Sequence, residues 1–380
     1  MQPYPDNFQC IGPACEDTCC QGWQITVDQP ALVRILNSPL RQTAQTGIQL
    51  RPAATNPTQF AQMKLQPSGA CPFLAPDKLC AIHSTLGQDA LPLGCQIYPR
   101  VLNRIDGQLE KSLSLSCPEA ARLVLLTPSL FGTAADSYRA FRQAIATAPK
   151  NATLSQLFWP LRHLHLAIVL DRSQPIRQRV ARLGQLAHRL ASARRPAQLL
   201  KAFRYSAPLP REQPSDLAQI LSTLDSLLTH PPNNPRFSQT VTQFLAGIGF
   251  SPIATIDSLE SRFCEAERDH LQPVLSQNPH LLENYLANAI MRGLYPFGTQ
   301  AAHQAGSVIE AEFRKLSLNF SLLYGLLTGV SGFFGSHLNE AHIIQAVQSY
   351  SRATEHHPER LSAAMAADAA APQQTAAVSA

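Results

Sequence analysis

The chain has 380 residues, of which 45% are hydrophobic and 15% are charged, and its formal net charge is +5. This composition is typical of a globular protein and excludes a highly charged, intrinsically disordered chain. The modest charge predicts no nucleic-acid partner, because such a partner requires a concentrated basic surface.

The first residues of the chain contain neither a basic segment nor an apolar one, so we expect no signal peptide. The most apolar run, residues 316–334, includes Ser, Asn, Thr and several Gly, and we expect no membrane span there and no membrane partner. The sequence therefore predicts a cytoplasmic protein. In that reducing compartment, clustered thiols bind metal more readily than they form disulfides.

Residues 1–117 are rich in Cys, Pro, Gly and Asn and show little helical periodicity. They predict an N-terminal Cys-rich module of loops and short strands. Within it, Asp106-Gly107 separates two alternating stretches, which predicts a β-hairpin near residues 101–116. Such a hairpin would bring Cys95 and Cys117 close together in space.

Helical periodicity follows over residues 118–358, so the fold class predicted is mainly α, with the Cys-rich module followed by an irregular helical domain. Proline-rich breaks interrupt this domain near residues 207–214 and 230–235. The glycines of residues 247–249 and 329–335 are interpreted as loop or helix-ending glycines. Residues 359–380 are Ala-rich without periodicity and predict a disordered tail.

Eight of the nine cysteines fall in the N-terminal module and are the candidate metal ligands: Cys10, Cys15, Cys19, Cys20, Cys71, Cys80, Cys95 and Cys117. Thiolates are soft ligands, and four of them suit either tetrahedral zinc or an iron–sulfur cluster. Most of the spacings are wider than those of structural zinc sites and favour a cluster held by loops. We predict an iron–sulfur cluster, with 4Fe–4S as the expected type, and keep zinc or metal-free thiols as the alternatives.

The adjacent pair Cys19–Cys20 and the isolated Cys264 differ from the other cysteines in their positions along the chain. Cys19 and Cys20 are adjacent, and neighbouring side chains of an extended chain point to opposite faces, so we expect them to serve two centres or to divide into one ligand and one packing residue. Cys264 stands alone on a predicted helix and is interpreted as a small core residue.

Several segments of the chain resemble the flagellin lysine-N-methylase family. In the Cys-rich module these are residues 10–23, 71–74, 79–83, 95–100 and 113–121; in the helical domain they are residues 283–286, 295–297 and 346–356. The similarity thus extends over most of the chain to about residue 358.

The resemblance implies an enzyme that transfers methyl groups from S-adenosylmethionine to lysine side chains of flagellin, its protein partner, and that contains an iron–sulfur cluster. A lysine amine must lose its proton before it can accept a methyl group. Candidate groups to orient or deprotonate it are Tyr98, Glu119, Tyr285, Glu355 and His356. Glu355 and His356 are favoured because a carboxylate beside an imidazole at a helix end is a polar pair that helix packing does not require.

Two hypotheses from other classes remain. The protein could be a non-enzymatic, metal-chelating adaptor in which the Cys-rich module is a structural staple and the helices bind a partner. It could also be a redox module that carries electrons without methyl transfer.

Overall fold

The computed structural model describes residues 4–51, 59–105, 108–131, 146–147, 152–192, 217–229, 234–298 and 305–356. The predicted break at residues 207–214, the predicted tail at 359–380 and the Asp106-Gly107 turn lie outside these ranges. The second predicted break, at residues 230–235, is described only from Asn234, whose side chain accepts a hydrogen bond from the Phe237 amide and caps the next helix.

The N-terminal module consists of short elements. Its strands and helices are β1 (Thr26–Val27), α1 (Gln29–Leu36), α2 (Arg41–Gly47), β2 (Ile48–Leu50), β3 (Ala61–Met63), α3 (Ala81–Leu86) and α4 (Leu93–Ile97), with 3₁₀ turns at Tyr4–Asn7, Gly12–Ala14 and Gln88–Ala90. The strands form an antiparallel sheet in the order β1-β3-β2. A small core of its own, which includes Val27, Ile35 and Phe73, holds the module together.

A hairpin connects this module to the helices. Strand β4 (Arg100–Ile105) pairs with β5 (Gln108–Leu113), with Arg100 opposite Leu113 and Ile105 opposite Gln108. The short strand β6 (Ala146–Thr147) pairs with β4 in parallel.

The remaining described chain is helical, and the prediction of a mainly α fold is confirmed. Its helices are α5 (Pro118–Leu126), α6 (Ala152–Val169), α7 (Ile176–Ser192), α8 (Leu217–Thr229), α9 (Pro235–Gly247), α10 (Ile256–Ala266), α11 (Gln272–Gln277), α12 (His280–Arg292), α13 (Ala305–Phe334) and α14 (Glu340–Glu355). A π-helical turn, Glu267–Leu271, joins α10 to α11, and a 3₁₀ turn, Gly335–His337, follows α13.

The long helix α13 packs against α9 through glycines. A Cβ atom added at Gly247 would lie 1.8 Å from the carbonyl oxygen of Gly329, and one added at Gly332 would lie 2.6 Å from the carbonyl oxygen of Gly247. The two backbones therefore approach too closely for any larger residue. The interpretation of Gly329 and Gly332 as loop or helix-ending glycines was wrong, because both lie inside α13.

Helix α13 also supplies the one candidate membrane span within the described residues, Val308–His337, which is long and apolar enough to cross a bilayer. However, 67% of its most apolar stretch is buried inside the protein. Burial against neighbouring helices explains its apolar composition without a membrane.

The hairpin is fixed to α12 by a buried asparagine. Asn288 accepts hydrogen bonds at Oδ1 from the Tyr4 hydroxyl (2.6 Å) and the Leu113 amide (3.1 Å), and its Nδ2 donates to the Leu113 carbonyl (2.8 Å). The buried Arg162–Glu110 ion pair (3.1 Å) attaches the same hairpin to α6. The segment that leaves β5 is thereby held against the helical domain.

Candidate functional site

The first part of the site is a turn that carries the adjacent cysteines. Cys19 and Cys20 lie in this turn, and the Cys20 carbonyl accepts a hydrogen bond from the Cys71 amide at 2.7 Å. Cys80 occupies the N-cap position of α3. The backbone turns at Cys19 and Cys20, which is the condition under which one metal could bind both thiols. The expectation that they serve two centres, or divide into one ligand and one packing residue, stays a prediction.

The thiols of Cys19 and Cys80 both contact the thiol of Cys20. Cys20 hydrogen-bonds to Cys19 and to Cys80, which raises its own pKa far above the usual range. The same bonds from Cys20 lower the pKa of Cys19 and lower that of Cys80 to about 6. The Cys20 thiol thus lies between two thiols whose pKa values are lowered, and a soft cation that binds here would displace the thiol protons.

The other candidate ligands surround these three thiols. Cys71 and Cys95 are close enough to feel the charges of Cys80 and Cys19, and Cys117 feels those of Cys15 and Cys19. Burial raises the pKa of Cys71 to about 11 and that of Cys117 to about 12. The structure therefore collects cysteines from distant parts of the module into one neighbourhood. Cys10 is exposed and interacts electrostatically with Cys15, at the edge of this neighbourhood.

Among the described residues, no group of three or more His, Cys, Asp or Glu side chains is arranged to hold a metal ion. The donors nonetheless fit a thiophilic metal or cluster by their chemistry, since several thiols lie together in a partly buried site. Cys264 lies apart on α10 and is exposed, so its interpretation as a core residue was wrong.

Beside the cysteines, three aromatic rings pack together. Trp23 stacks on His356 with centroids 4.9 Å apart and on Tyr98 at 5.6 Å, and its indole nitrogen donates to the Cys19 carbonyl at 2.7 Å. Burial, and then the charge of Cys117, raise the pKa of Tyr98 well above its usual range. The aromatic group connects the turn at Cys19 to the C-terminal end of α14.

A network of hydroxyl groups lies behind these rings. Ser116 Oγ is 3.0 Å from the Tyr98 hydroxyl, 2.9 Å from His356 Nε2 and 2.6 Å from Ser114 Oγ, and Ser114 Oγ donates to Glu355 Oε2 at 2.5 Å. Two of the predicted catalytic candidates, Tyr98 and His356, therefore meet at one serine, and a second serine links that serine to the third candidate, Glu355.

Counting protons gives the direction of each bond in this network. A serine hydroxyl has one proton to donate. Since Ser114 gives its proton to the carboxylate of Glu355, it must accept from Ser116, and Ser116 must accept from both Tyr98 and His356. His356 consequently carries a proton on Nε2, and the bonds run in one direction, from the two rings to Glu355.

A polar clamp fixes the end of α14 to the cysteine turn. Asp17 Oδ2 accepts from Arg352 Nη1 (2.5 Å) and from Gln348 Nε2 (2.8 Å), and Gln348 also donates to the Ser116 carbonyl at 2.9 Å. Arg352 donates in addition to the Gln21 carbonyl at 2.5 Å. Sequence reasoning missed Asp17, Gln348 and Ser116, because no spacing pattern connects residues so far apart.

The two remaining candidate bases lie at the margin of the network. Glu119 forms an ion pair with Arg122, which also pairs with Glu16 at 2.8 Å, and this arrangement is structural. Tyr285 is buried, and burial together with the charge of Glu355 raises its pKa.

Comparison with known proteins identifies the family. Residues 162–368, more than half of the chain, match the FliB lysine N-methylase C-terminal domain. The chain belongs to the flagellin lysine-N-methylase family. Glu355 and His356 lie inside the matched domain of this family, whereas the eight clustered cysteines precede it.

Individual relatives are similar over parts of the chain. The flagellar biosynthetic protein FliU of Salmonella muenchen is 37% identical over 126 residues, which cover 32% of this chain and 73% of that protein. Lysine-N-methylases of Salmonella choleraesuis strain SC-B67 and Salmonella typhimurium strain LT2 are 35% and 36% identical over 147 residues. Those matches span 38% of this chain and 36% of each relative. No solved structure matches the chain.

Proposed function

We propose that this flagellin lysine-N-methylase family protein transfers methyl groups from S-adenosylmethionine to lysine side chains of flagellin, with a Cys-ligated iron–sulfur cluster beside the reaction site. The observation that carries the proposal is the convergence of α14, the last described helix of the matched family domain, on the cysteine neighbourhood. Glu355 and His356 reach this place, and two of the relatives are named lysine-N-methylases.

The residues of the site are suited to handle the proton of the lysine. An ammonium group has a pKa of about 10.4 in water and must lose a proton before it can accept a methyl group. Glu355 is 8% exposed and lies at the accepting end of the hydroxyl network. His356 would take the proton of the lysine at Nδ1 while its Nε2 proton passes through Ser116 and Ser114 to Glu355 Oε2, so the proton leaves the reacting end without entering bulk water.

The metal group would be held by Cys20 and the two thiols that contact it, Cys19 and Cys80, together with neighbours such as Cys71 and Cys95. When bound, an iron–sulfur cluster supplies electron transfer or a Lewis-acidic iron. The chain's own part is to supply thiolates and to cover one side of them with Trp23.

The test is methylation under anaerobic conditions. Protein purified with its metal, S-adenosylmethionine and flagellin are incubated together, and flagellin peptides are analysed by mass spectrometry. Gain of whole methyl groups on lysine is the expected result. Metal without any methyl gain would instead support the non-enzymatic adaptor, and zinc without iron or sulfide would reject the cluster.

A matched pair of variants tests the role of Glu355. Glu355→Gln keeps the shape of the side chain but cannot take up the proton, so the methylation rate should fall by about a hundredfold or more. Glu340→Gln changes an exposed glutamate at the other end of the same helix and should leave the rate unchanged. Equal rates in the two variants would remove Glu355 from the mechanism.

A further inference from the structure

A second site lies among elements that the cysteine site does not use. A cavity of about 430 Å³ is bordered by the segment that leads into α7, by α11, and by side chains of α12 and α13. Its volume falls in the range of small-molecule sites, roughly 300 to 1,000 Å³. Apolar side chains, among them Ile176, Leu275 and Leu282, form part of its wall.

The charge of this cavity has one sign. Its lining contains Arg172, Arg177 and Arg179, and no Asp or Glu belongs to the lining in the described part of the chain. Carboxylates stand behind the arginines: Glu283 accepts from Arg172 (2.8 and 3.0 Å) and from Arg179 (2.9 Å), and Glu267 accepts from Arg177 (3.1 Å). A third carboxylate, Asp171, accepts hydrogen bonds from Ser173 at the cavity edge and interacts with Arg179 and with Arg182. Three carboxylates beside four guanidinium groups still leave an excess of positive charge.

The arginines are held in position. The Arg177 guanidinium lies 5.4 Å from the Tyr324 ring centroid, and the Tyr324 hydroxyl donates to Glu267 at 2.7 Å while it accepts from Gln272 at 2.7 Å. Arg172 is 46% exposed, and its Nη1 has no hydrogen-bond partner among the described residues. A guanidinium fork held by buried partners is prepared for a second anion.

Two backbone features strengthen this electrostatic argument. The cavity includes residues 173–176, which enter the 17-residue helix α7, and the first amide groups of a helix attract anions. The π-helical turn at Glu267–Leu271 directly precedes Gln272 in the cavity wall, and such turns are frequent at functional sites.

We infer that this cavity binds a phosphate-bearing small molecule of nucleotide size, with the phosphates at the arginines and the organic part against the apolar wall. The cavity suits the proposed methyl donor less well than a nucleotide, because S-adenosylmethionine has one carboxylate against a sulfonium and an ammonium group, and its net charge is positive. The inference is therefore independent of the proposed methylation and adds a second ligand.

The test uses ADP and inorganic pyrophosphate as probes, measured by isothermal titration on the full chain. Adenosine, which lacks phosphate, and S-adenosylmethionine are the comparison ligands. Ser276 lines the cavity and is exposed, so it can be changed without breaking an ion pair. Ser276→Asp introduces a carboxylate among the arginines, and Ser276→Asn is its neutral control of nearly equal size.

ADP or pyrophosphate should bind the wild type and Ser276→Asn similarly, and at least about tenfold more weakly to Ser276→Asp. Arg172→Gln should weaken binding to a similar degree, and its melting temperature should also fall, because it removes bonds to the buried Glu283 carboxylate. No binding of either probe, equal binding by the two Ser276 variants, equal affinity for adenosine, or loss of S-adenosylmethionine binding in Ser276→Asp would each overturn the inference.

Discussion

Two buried serines of the same segment should respond in opposite ways to removal of their hydroxyl groups. Ser116 is 3% exposed and has three side-chain partners, whereas Ser112 is 1% exposed and its Oγ has no hydrogen-bond partner among the described residues. The substitutions Ser116→Ala and Ser112→Ala remove the same atom from similarly buried positions. They differ only in what that atom contacts.

The expected magnitude follows from counting donors. Ser116→Ala leaves the Tyr98 hydroxyl and His356 Nε2 without their acceptor, while Ser114 still donates to Glu355. The bond from Ser116 to Ser114 is lost as well, so three hydrogen bonds disappear. Each contributes about 1 kcal/mol net, so the free energy of unfolding should fall by about 3 kcal/mol. Ser112→Ala removes a buried hydroxyl that forms no hydrogen bond with the described residues, so the free energy of unfolding should stay the same or rise.

The assay is urea unfolding under anaerobic conditions, followed by the helical circular dichroism signal, with the methylation rate measured on the same samples. Ser116→Ala should be less stable and slower, because the path from His356 to Glu355 is interrupted. Equal unfolding midpoints for the two variants would refute the assigned network, and normal methylation by Ser116→Ala would refute its use in proton transfer.

Three further predictions test other parts of the molecule. Burial lowers the pKa of His165 to about 3, so between about pH 6.5 and 5 the unfolded chain binds a proton at this residue and the folded chain does not. Between pH 7 and 5 the free energy of unfolding should therefore fall by about 2 kcal/mol more in the wild type than in His165→Phe. The same pH dependence of the urea-unfolding midpoint in both proteins would contradict this. A Cβ atom at Gly329 would lie 2.2 Å from a phenyl ring, so Gly329→Ala should destabilise by about 1–3 kcal/mol in thermal unfolding, whereas Gly94→Ala, which meets nothing within 4 Å, should not. In metal analysis, Cys264→Ser should retain the full metal content and Cys20→Ser should lose much of it; the reverse order would displace the proposed ligands.

The sequence predicted the helical class, which is confirmed, and a thiol-rich metal site, which stays a prediction. Helical periodicity is a local property, and the number of thiols in residues 1–117 is visible without a structure. Tyr98, Glu355 and His356 were chosen for their chemistry, and the structure places them in one hydrogen-bonded network.

What the sequence could not predict depends on contacts between distant segments. The sequence contains no sign that Ser116 contacts three other side chains. Asp17 accepts hydrogen bonds from Gln348 and Arg352 only because the fold places the end of α14 beside it. The interpretation of Gly329 was wrong because it assumed a local conformation, whereas a close contact between helices determines what that residue does. The roles of Cys19 and Cys20 stay a prediction, and the turn that brings their thiols together was not visible in the sequence.

The clamp between Asp17 and Gln348 joins residues that are 331 positions apart. During synthesis, the Cys19–Cys20 turn emerges from the ribosome long before the helix that holds it has been made. Its thiols are consequently accessible to oxidants and to competing metals for most of the time that translation takes, and they acquire their cover only when α14 is complete. A metal bound by these thiols, as we propose, would therefore acquire its cover only once α14 has been made, and until then its binding would depend on whatever protects the nascent thiols.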